Sequence, residues 1–370
     1  AVPIGGAESL VGIVAASLPS EGEIRLSGRT LCRGEGVAAE DFALLTYRPA
    51  SEGVQRFTYY PVALSGAVGS PVTLELEAEP CRAPIARTLS LETYRNMPIS
   101  GRVTGVDPEG GALTAALADE PSFGSVELDA ASGVFVYTPF QNRTGTDRFT
   151  CVLTGEGGAV SAPAEITVAV RRPRSELRYA DMRGSCAEYA AVRLAELGLY
   201  RGAELGGVSY FEPDEPVTRG ELLALAVALS GEELLPSAHT DFADDALVPA
   251  WVRPFAAAAA ARGIAAGSDT PSGRCLRASE PVTRAEAAAM LCAAAGIPEA
   301  ASSRDFSDAV PAWARSSAVS AVELGLLDSP EGVFGAEDPL TRGEAARAVY
   351  AAWERVQENT VRTGFFSWIL

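Results

Sequence analysis

The chain has 370 residues, of which 48 are acidic and 30 basic, giving a formal charge of −18 at pH 7. This length predicts roughly two to four domains. The share of hydrophobic residues, 47%, is typical of folded domains and too high for a disordered chain. The acidic balance argues against binding to duplex nucleic acid or to anionic lipid, since both partners require a basic face. All the basic residues are arginines, which can grip carboxylates but cannot act as amine nucleophiles.

Few residues in the chain are suited to catalysis or to membrane insertion. The one histidine, His239, cannot supply a histidine-based zinc site, and no nucleophile elbow accompanies it. The longest alanine-rich run, residues 255–261, is far too short to span a membrane. Residues 1–3 lack the charged region that opens a signal peptide, which we interpret as a mature terminus left after cleavage. These features favour an exported protein without membrane insertion.

Six cysteines are spread along the chain, at positions 32, 81, 151, 186, 275 and 292. None belongs to a Cys-x-x-Cys pair, which argues against zinc ribbons and thioredoxin-like redox sites. In an oxidising compartment Cys32 can pair with Cys81. Cys275 can likewise pair with Cys292. The alternative is six buried thiols.

The texture of the sequence changes near residue 172. Before it, short β-branched runs alternate with turns rich in Gly, Pro, Asp and Ser, which predicts strands. After it, stretches rich in Ala, Leu and Glu have helical spacing. The polar, proline-containing segment 171–175 marks the boundary. We therefore predict a multidomain protein with an all-β front half and an all-α back half.

The front half contains an internal repeat. The matching segments are 45–49 with 135–139, 56–60 with 148–152, and 72–76 with 166–170. The first two offsets, 90 and 92 residues, suit one small sandwich domain per copy. We predict one β-sandwich over residues 1–78, with a degenerate or missing opening strand, and another over 95–171. Residues 79–94 are predicted to be the linker between them.

Four segments of the second copy carry a family pattern: 96–101, 106–113, 135–139 and 145–149. Through them, residues 95–171 resemble the Ig-like and cadherin-like domains found in tandem in bacterial surface proteins. Some relatives bind calcium through acidic turns, so the resemblance implies Asp107, Glu109 and Asp147 as candidate ligands, because Ca²⁺ prefers several hard oxygens. The alternative is that residues 107–110 are simply a good turn sequence.

The back half repeats a Thr-Arg-x-Glu element three times, at 218–221, 283–286 and 341–344. Thr and Glu at this spacing form a capping box, in which the hydroxyl accepts from the Glu amide and the Glu carboxylate reaches back to the Thr amide. The element therefore predicts the start of a helix in each copy. The residues given this structural capping role are Thr218, Glu221, Thr283, Glu286, Thr341 and Glu344.

Capping does not explain the arginine of this element. A cation at the first helical position is unfavourable for the helix dipole, yet Arg219, Arg284 and Arg342 occupy it in all three copies. A guanidinium beside free helix amides can hold an anion, especially a carboxylate. The alternative is a salt bridge to an acidic residue of a neighbouring repeat. The residues alone leave both roles open.

A second element precedes each copy of the first. It has an aromatic residue and an Asp, as Tyr/Phe-x-Asp, at 179–181, 242–244 and 306–308. The last two copies continue into Pro-Ala-Trp, and a helix that ends at a glycine cap is predicted after each. Trp251 and Trp313 are either platforms for a sugar ring or anchors in the core.

In this order the elements resemble three tandem S-layer homology domains over about residues 179–355. The resemblance implies a pseudo-three-fold helical arrangement of repeats at 179–235, 241–296 and 305–356, with an apolar tail at 357–370. In the family, grooves between repeats bind secondary cell-wall polysaccharide, often with a pyruvate ketal, on walls of Gram-positive type. Carried over by position, the ligand-binding residues are Arg219, Arg284, Arg342, Asp181, Asp244, Asp308, Trp251 and Trp313.

The first repeat departs from this pattern, since Cys186 stands where the other two have tryptophan. We therefore expect the groove of the second repeat, with Asp244, Trp251 and Arg284, to bind best. The apolar tail is expected to dock on its own domain, with partner binding as the alternative.

The leading hypothesis is a non-enzymatic anchor. Its α half binds an anionic wall polysaccharide and its β half serves as a stalk or adhesive module, with other surface-layer subunits as further candidate partners. The alternative is a calcium-dependent adhesin whose β domains carry the main recognition. An enzyme is disfavoured because a glycosidase needs two carboxylates held in a cleft, and neither half offers a further domain of that size.

Overall fold

The structure is a computed structural model that describes residues 10–48, 50, 53–78, 82–231, 234, 239–298 and 306–366. The chain forms two compact units, residues 1–82 and 83–370. The first is built of strands. The second combines strands with helices. Among the described residues, no helix has both the length and the apolar composition needed to cross a membrane.

The first unit is made of short antiparallel strands: β1 Leu10–Ser17, β2 Glu23–Leu26, β3 Arg29–Thr30, β4 Gly36–Ala38, β5 Leu45–Arg48, β6 Gly53–Ala63 and β7 Val72–Ala78. They form two sheets with the orders β4-β1-β6-β7 and β3-β2-β5. Alternation along the strands turns Ile13, Ile24 and Phe57 into a common core, as expected for sheets with one buried face.

Among the described residues, no strand pairs with the outer edge of β7, whereas the equivalent strand of the second copy, 164–171, pairs there with an opening strand at 89–94. That the opening strand of the first unit is degenerate or missing therefore stays a prediction. Strand β1 is eight residues long and pairs antiparallel with β6. Its apolar residues Ile13 and Ala15 are buried on one face. Its residues do not match the second copy, but it pairs with β6 as the strand at 113–119 of the second copy pairs with the strand at 145–155.

The second unit begins with nine strands: β8 Ile85–Ala86, β9 Leu89–Tyr94, β10 Ile99–Arg102, β11 Gly105–Val106, β12 Leu113–Asp119, β13 Gly124–Leu128, β14 Val134–Pro139, β15 Gly145–Gly155 and β16 Ala164–Arg171. The main sheets have the orders β12-β15-β16-β9 and β10-β14-β13, and β8 pairs with β11. Phe135 and Phe149 meet edge to face in the core, with ring centroids 5.3 Å apart.

Strands β8 and β9 lie in the segment predicted to be a linker, so that prediction is wrong for residues 85–94. Strand β9 pairs in parallel with β16, with Leu89 opposite Ile166. Leu89 and Leu91 pack against the sandwich core. A parallel partner at the sheet edge leaves no hairpin turn in the sequence, and the segment therefore reads as a connection.

The helical part of the second unit contains six helices: α1 Glu188–Glu196, α2 Arg219–Leu229, α3 Arg253–Arg262, α4 Arg284–Ala294, α5 Arg315–Glu323 and α6 Arg342–Phe366. Two hairpins accompany them: β17 Ala203–Leu205 with β18 Val208–Tyr210, and β19 Ser268–Thr270 with β20 Gly273–Cys275. Helix α6 continues far into the segment predicted to be a tail from residue 357. Residues 367–370 lie outside the described residues.

The helices pack in pairs that cross the sequence repeats. Helix α2 packs on α3, α4 on α5, and α6 on α1. The residues before the three Thr-Arg-x-Glu elements hydrogen-bond in a closed circuit: the Val217 amide donates to Leu340, Leu340 to Val282, and Val282 to Val217, each at 2.9 Å. The three copies therefore meet at one centre, from which each helix begins.

The sandwich and the helices of the second unit share one core. Tyr94 and Met97, on and just after β9, belong to the same buried cluster as the helices. The Tyr94 hydroxyl donates to Glu196 at 2.7 Å, and its ring meets Tyr189 edge to face with centroids 5.0 Å apart. Arg193 bonds the same Glu196 at 2.7 Å. A buried, satisfied polar network of this kind holds the sandwich in one orientation on α1.

Candidate functional site

Each Thr-Arg-x-Glu element forms a capping box at the start of α2, α4 or α6. At α2, the Thr218 hydroxyl accepts from the Glu221 amide at 3.3 Å, and the Thr218 amide donates to the Glu221 carboxylate at 2.9 Å. Thr283 with Glu286 and Thr341 with Glu344 repeat these contacts. The amide and the hydroxyl of Thr218 both donate to the same oxygen of Glu221, so the other carboxylate oxygen can accept from further donors.

The arginines of two copies are buried in ion pairs with the box glutamate of the next copy. Arg219 donates to both oxygens of Glu286, at 2.6 and 3.0 Å, and its side chain is 6% exposed. Arg284 pairs with Glu344 and is 9% exposed. Arg284 also donates to the Phe334 carbonyl at 2.8 Å. Each guanidinium therefore already holds a carboxylate in a bidentate or shared contact.

The third arginine is placed differently. Arg342 stands 3.9 Å from Glu221, the box glutamate that completes the circuit, and its side chain is 21% exposed. Its ion pair is instead with Glu212, which is itself half exposed. The Nε atom of Arg342 is buried and has no hydrogen-bond partner among the described residues.

Arg219 and Arg284 thus form the salt bridge between repeats that was one of the two roles left open by the sequence, and their contact with a ligand stays a prediction. A direct ligand contact through either guanidinium requires it to leave or share the carboxylate that it holds. Breaking a buried pair such as that of Arg219 costs about 3–5 kcal/mol. Their geometry is that of residues that join one repeat to the next.

The three aspartates of the Tyr/Phe-x-Asp elements hold loops. Asp244 accepts from the amides of Leu276 and Arg277, at 2.8 and 2.7 Å. Asp181 accepts in the same way from residues 211 and 212, and Asp308 from residues 334 and 335. Burial acts to raise the pKa of Asp308, but the amides that it accepts from outweigh burial and hold that pKa below its ordinary value.

These contacts change the composition of the predicted groove. The sequence analysis combined Asp244 and Trp251 with Arg284, the arginine of the same repeat. In the structure, Asp244 fixes Arg277, whose carbonyl accepts from Arg219 at 3.4 Å. Arg284 instead contacts residues 328, 334 and 344 of the following repeat. Each groove therefore combines the helix start of one repeat with the loop of the next, because the helix pairs cross the repeats.

Both tryptophans of the Pro-Ala-Trp elements are exposed. Trp251 is 53% exposed and Trp313 is 62% exposed, so the interpretation as core anchors is wrong. Val252 lies against the start of α2: a β-carbon built on Gly220 would come within 3.0 Å of its side chain. Trp251 is therefore next to the helix that begins with Arg219, and its ring is open to solvent.

Sequence reasoning missed one functional candidate, Arg277. Its side chain is 36% exposed and lies 3.5 Å from Glu280 and 3.8 Å from Glu286. One Nη atom donates to Ser268 at 2.8 Å. The Nε atom is buried and donates to no acceptor among the described residues. The carbonyl of the next residue, Ala278, lies 3.1 Å from the same built β-carbon on Gly220, so Arg277 and Trp251 flank one helix start.

Two of the three candidate calcium ligands of the sandwich, Asp107 and Asp147, accept hydrogen bonds from backbone amides, and calcium binding stays a prediction. Asp147 is buried and accepts from three backbone amides and from the Tyr137 hydroxyl, the last at 2.9 Å. Asp107 accepts from the Glu109 amide at 2.9 Å, which is the turn interpretation of this segment. Within the described residues, no three His, Cys, Asp or Glu side chains form a group that could hold a metal ion.

The cysteines are separate thiols where the structure describes them. Cys275 and Cys292 are buried apart from each other: the Cys275 thiol faces the Gly273 carbonyl, and the Cys292 thiol faces the Ser317 carbonyl at 3.6 Å. Their predicted pairing is therefore absent from the structure. Cys32 is exposed, which also corrects the alternative of six buried thiols. Cys81 lies outside the described residues.

Comparison with known families matches two parts of the chain. The model for a bacterial Ig domain matches residues 82–169, and the model for an S-layer homology domain matches residues 241–288. Both are non-catalytic structural modules. The S-layer homology match supports non-covalent anchoring of a surface protein to the cell wall, with a carbohydrate partner. No curated protein matches the chain.

Solved structures resemble parts of the chain at low identity. Fibronectin(III)-like modules of CbhA from Clostridium thermocellum are 10% identical, with a TM-score of 0.22, over 48% of this chain and 86% of theirs. Drosophila N-cadherin EC1-3 is 11% identical, with a TM-score of 0.22, over 45% of this chain and 57% of its own. An endo-fucoidan hydrolase of glycoside hydrolase family 107 is 15% identical, with a TM-score of 0.22, over 46% and 25%. At these TM-scores the likenesses carry no argument.

Proposed function

We propose that the chain holds a surface protein on a cell wall of Gram-positive type by binding an anionic secondary wall polysaccharide, with no catalytic activity of its own. The binding sites are grooves between three S-layer homology repeats, and the β domains form a stalk or adhesive module. The observation that carries the proposal is that Trp251, which is half exposed, and Arg277, whose Nε is buried and unpaired, each adjoin a residue that packs against the start of α2.

The groove with Trp251 combines the two kinds of contact that an acidic sugar needs. An exposed indole face can pack on the apolar face of a sugar ring. Charged side chains alone do not provide this contact. A guanidinium matches the two oxygens of a carboxylate, such as that of a pyruvate ketal. Arg277 is partly exposed and lies 3.8 Å from Glu286, the carboxylate that the buried Arg219 also holds, so both guanidinium groups add positive charge to the same helix start.

Local charge separates this groove from the others. The formal charge of the whole chain is −18, so an anionic polymer meets a repulsive background. At the start of α2, Arg219 and Arg277 balance Glu280 and Glu286. At the start of α4, Arg284 has no second arginine at the place of Arg277, since Gly335 occupies it. We therefore assign the tightest binding to the groove of Trp251 and weaker binding to that of Trp313.

Binding of the full chain to purified wall polysaccharide tests the proposal, with the polymer used before and after chemical removal of its pyruvate. We expect pyruvate-dependent binding, weakened about tenfold by Trp251→Ala and about tenfold by Arg277→Gln, as for the loss of about 1.4 kcal/mol each. Leu247→Ala is the matched control, since Leu247 is an exposed apolar residue of the same repeat and should change nothing. Equal binding of both polymers, unaffected by both groove variants, would exclude recognition of the carboxylate there.

A further inference from the structure

The grooves differ at one structurally equivalent position. Glu212, Arg277 and Gly335 each follow a buried apolar residue and each have a left-handed backbone, with φ of 56°, 54° and 66°. Each amide donates to the aspartate of its loop, at 2.7, 2.7 and 2.9 Å. The position therefore carries an anion in one groove, a cation in the second and no side chain in the third.

In the first of these grooves the anion lies on the arginine of the helix start. Glu212 pairs with Arg342, whereas Arg219 and Arg284 are held by box glutamates. The box glutamate that Arg342 faces, Glu221, lies farther away, at 3.9 Å. A guanidinium whose nearer carboxylate comes from the groove loop has the geometry of an occupied anion site.

We propose that Glu212 is a built-in substitute for an anionic ligand and closes the groove of Arg342 to external carboxylates. The pair is partly exposed, with side chains 21% and 51% exposed for Arg342 and Glu212. It is therefore an exchangeable contact and not a buried cross-link. Beside it, a cavity of about 10 Å³, lined by Tyr200, Phe211 and Arg342 among others, is only large enough for a water molecule.

The absence of an aromatic platform supports the same assignment. Cys186 stands where the other two copies have their exposed tryptophans, and Ala187 after it lies 3.7 Å from a β-carbon built on Gly343. This matches the place of Val252 beside Gly220. The groove of Arg342 thus has the backbone of the binding groove but neither its tryptophan nor the cation that Arg277 provides there. The identity of the natural ligand in this inference rests on the proposed function. The competition between Glu212 and an external carboxylate for Arg342 does not.

Titration of the full chain with sodium pyruvate tests the competition without any polymer. The readout is the ¹⁵N–¹H resonance of the Arg342 Nε, assigned by its loss in Arg342→Lys. We expect Glu212→Gln and Glu212→Gly to lower the apparent Kd for pyruvate at Arg342 about fivefold, the factor for removing a competing ion pair of about 1 kcal/mol. Glycine is tolerated because Gly335 occupies the equivalent position. Glu215→Gln is the matched control, since it removes one negative charge from the same exposed loop.

The outcomes are distinct. A Kd that stays within about twofold of wild type in both Glu212 variants, or one that falls equally in Glu215→Gln, overturns the inference. Polysaccharide binding is measured on the same proteins. If pyruvate binding at Arg342 responds to Glu212 but the wild-type chain binds no polymer, the internal occupant stands and the wall-anchoring function fails. If the polymer binds but Glu212→Gly leaves pyruvate binding at Arg342 unchanged, the wall-anchoring function stands and the inference about Glu212 fails.

Discussion

Glu286→Gln is expected to destabilise the helical region more than the same change in either of the other box glutamates. The substitution keeps an oxygen that can accept from Thr283, so the capping box survives. It removes the charge that faces Arg219, whose side chain is 6% exposed. An unpaired buried charge costs about 3–5 kcal/mol.

The structure places the expected loss at the lower end of that range, about 3 kcal/mol. Arg219 keeps the Arg277 carbonyl at 3.4 Å and Glu280 at 3.7 Å after the change. Glu344→Gln should cost about 2 kcal/mol, because Glu344 is 30% exposed and Arg284 retains carbonyl partners. Glu221→Gln should cost about 1 kcal/mol or less, because the 3.9 Å contact with the more exposed Arg342 is weak.

Urea denaturation followed by tryptophan fluorescence measures this series in the full chain. All four tryptophans lie at residue 251 or beyond, so the signal reports on the helical region without truncating the protein. With an m-value of about 2 kcal/mol per molar urea, Glu286→Gln should lower the midpoint by about 1.5 M. Glu280→Gln, which removes an exposed partner of the same arginine, is the control and should shift it by less than about 0.5 M. Equal shifts for the three box glutamates would refute the assignment of graded inter-repeat pairs.

Two further predictions concern titratable groups. Burial raises the pKa of Cys151 and of Cys292 to about 11. Alkylation of the native protein near pH 8, followed by peptide mass spectrometry, should therefore modify the exposed Cys32 and leave both buried thiols unmodified. Labelling of Cys151 or Cys292 as fast as Cys32 would contradict their burial. The pKa of Asp308 is lowered from 3.8, so its contribution to stability is complete above that value and is lost as pH falls through the lower folded pKa. Asp308→Asn should therefore be less stable than wild type at neutral pH, and the difference between their urea midpoints should shrink in acid. A difference that does not change with pH would show that the charge of Asp308 does not stabilise the fold.

Local features of the fold were predictable from the sequence because they depend on residues close in the chain. The capping boxes need only a Thr and a Glu three residues apart. Strand alternation is likewise local, and along β15 it places Phe149 and Cys151 on the same face, which is buried. The parallel pairing of β9 with β16 was not predictable in this way, since it joins residues 77 positions apart, as Leu89 and Ile166 show.

The ion-pair partners of the arginines could not be predicted either, because they are also far apart in the sequence. Arg219 and Glu286 are 67 residues apart, and each residue also has a nearer candidate partner. Only the crossing of helix pairs between repeats brings them together. Arg277 was missed for a different reason. A search for recurring residues finds what the copies share, and Arg277 occupies a position where they differ.

That difference separates the scaffold of the helical region from its recognition surface. Residues that recur in all three copies, such as Thr218, Arg219 and Glu221, cap helices and tie each repeat to the next. Of the side chains that differ, Arg277 and Glu212 lie on the groove loops. Cys186 instead lines a cleft of about 440 Å³ bordered by β10 and α6, where Arg347 donates to Ser100 at 3.2 Å.

The copy without a tryptophan is therefore the one beside the sandwich. Its neighbouring helix α6 carries the contact to β10, and its helix α1 carries Tyr189 and Glu196, which hold Tyr94. A repeat that fixes the sandwich in place cannot also keep all of its surface open to a polymer. Division of labour among the copies follows from this geometry: one copy joins the β domain to the helices, and the exposed tryptophans of the other two remain available for a ligand.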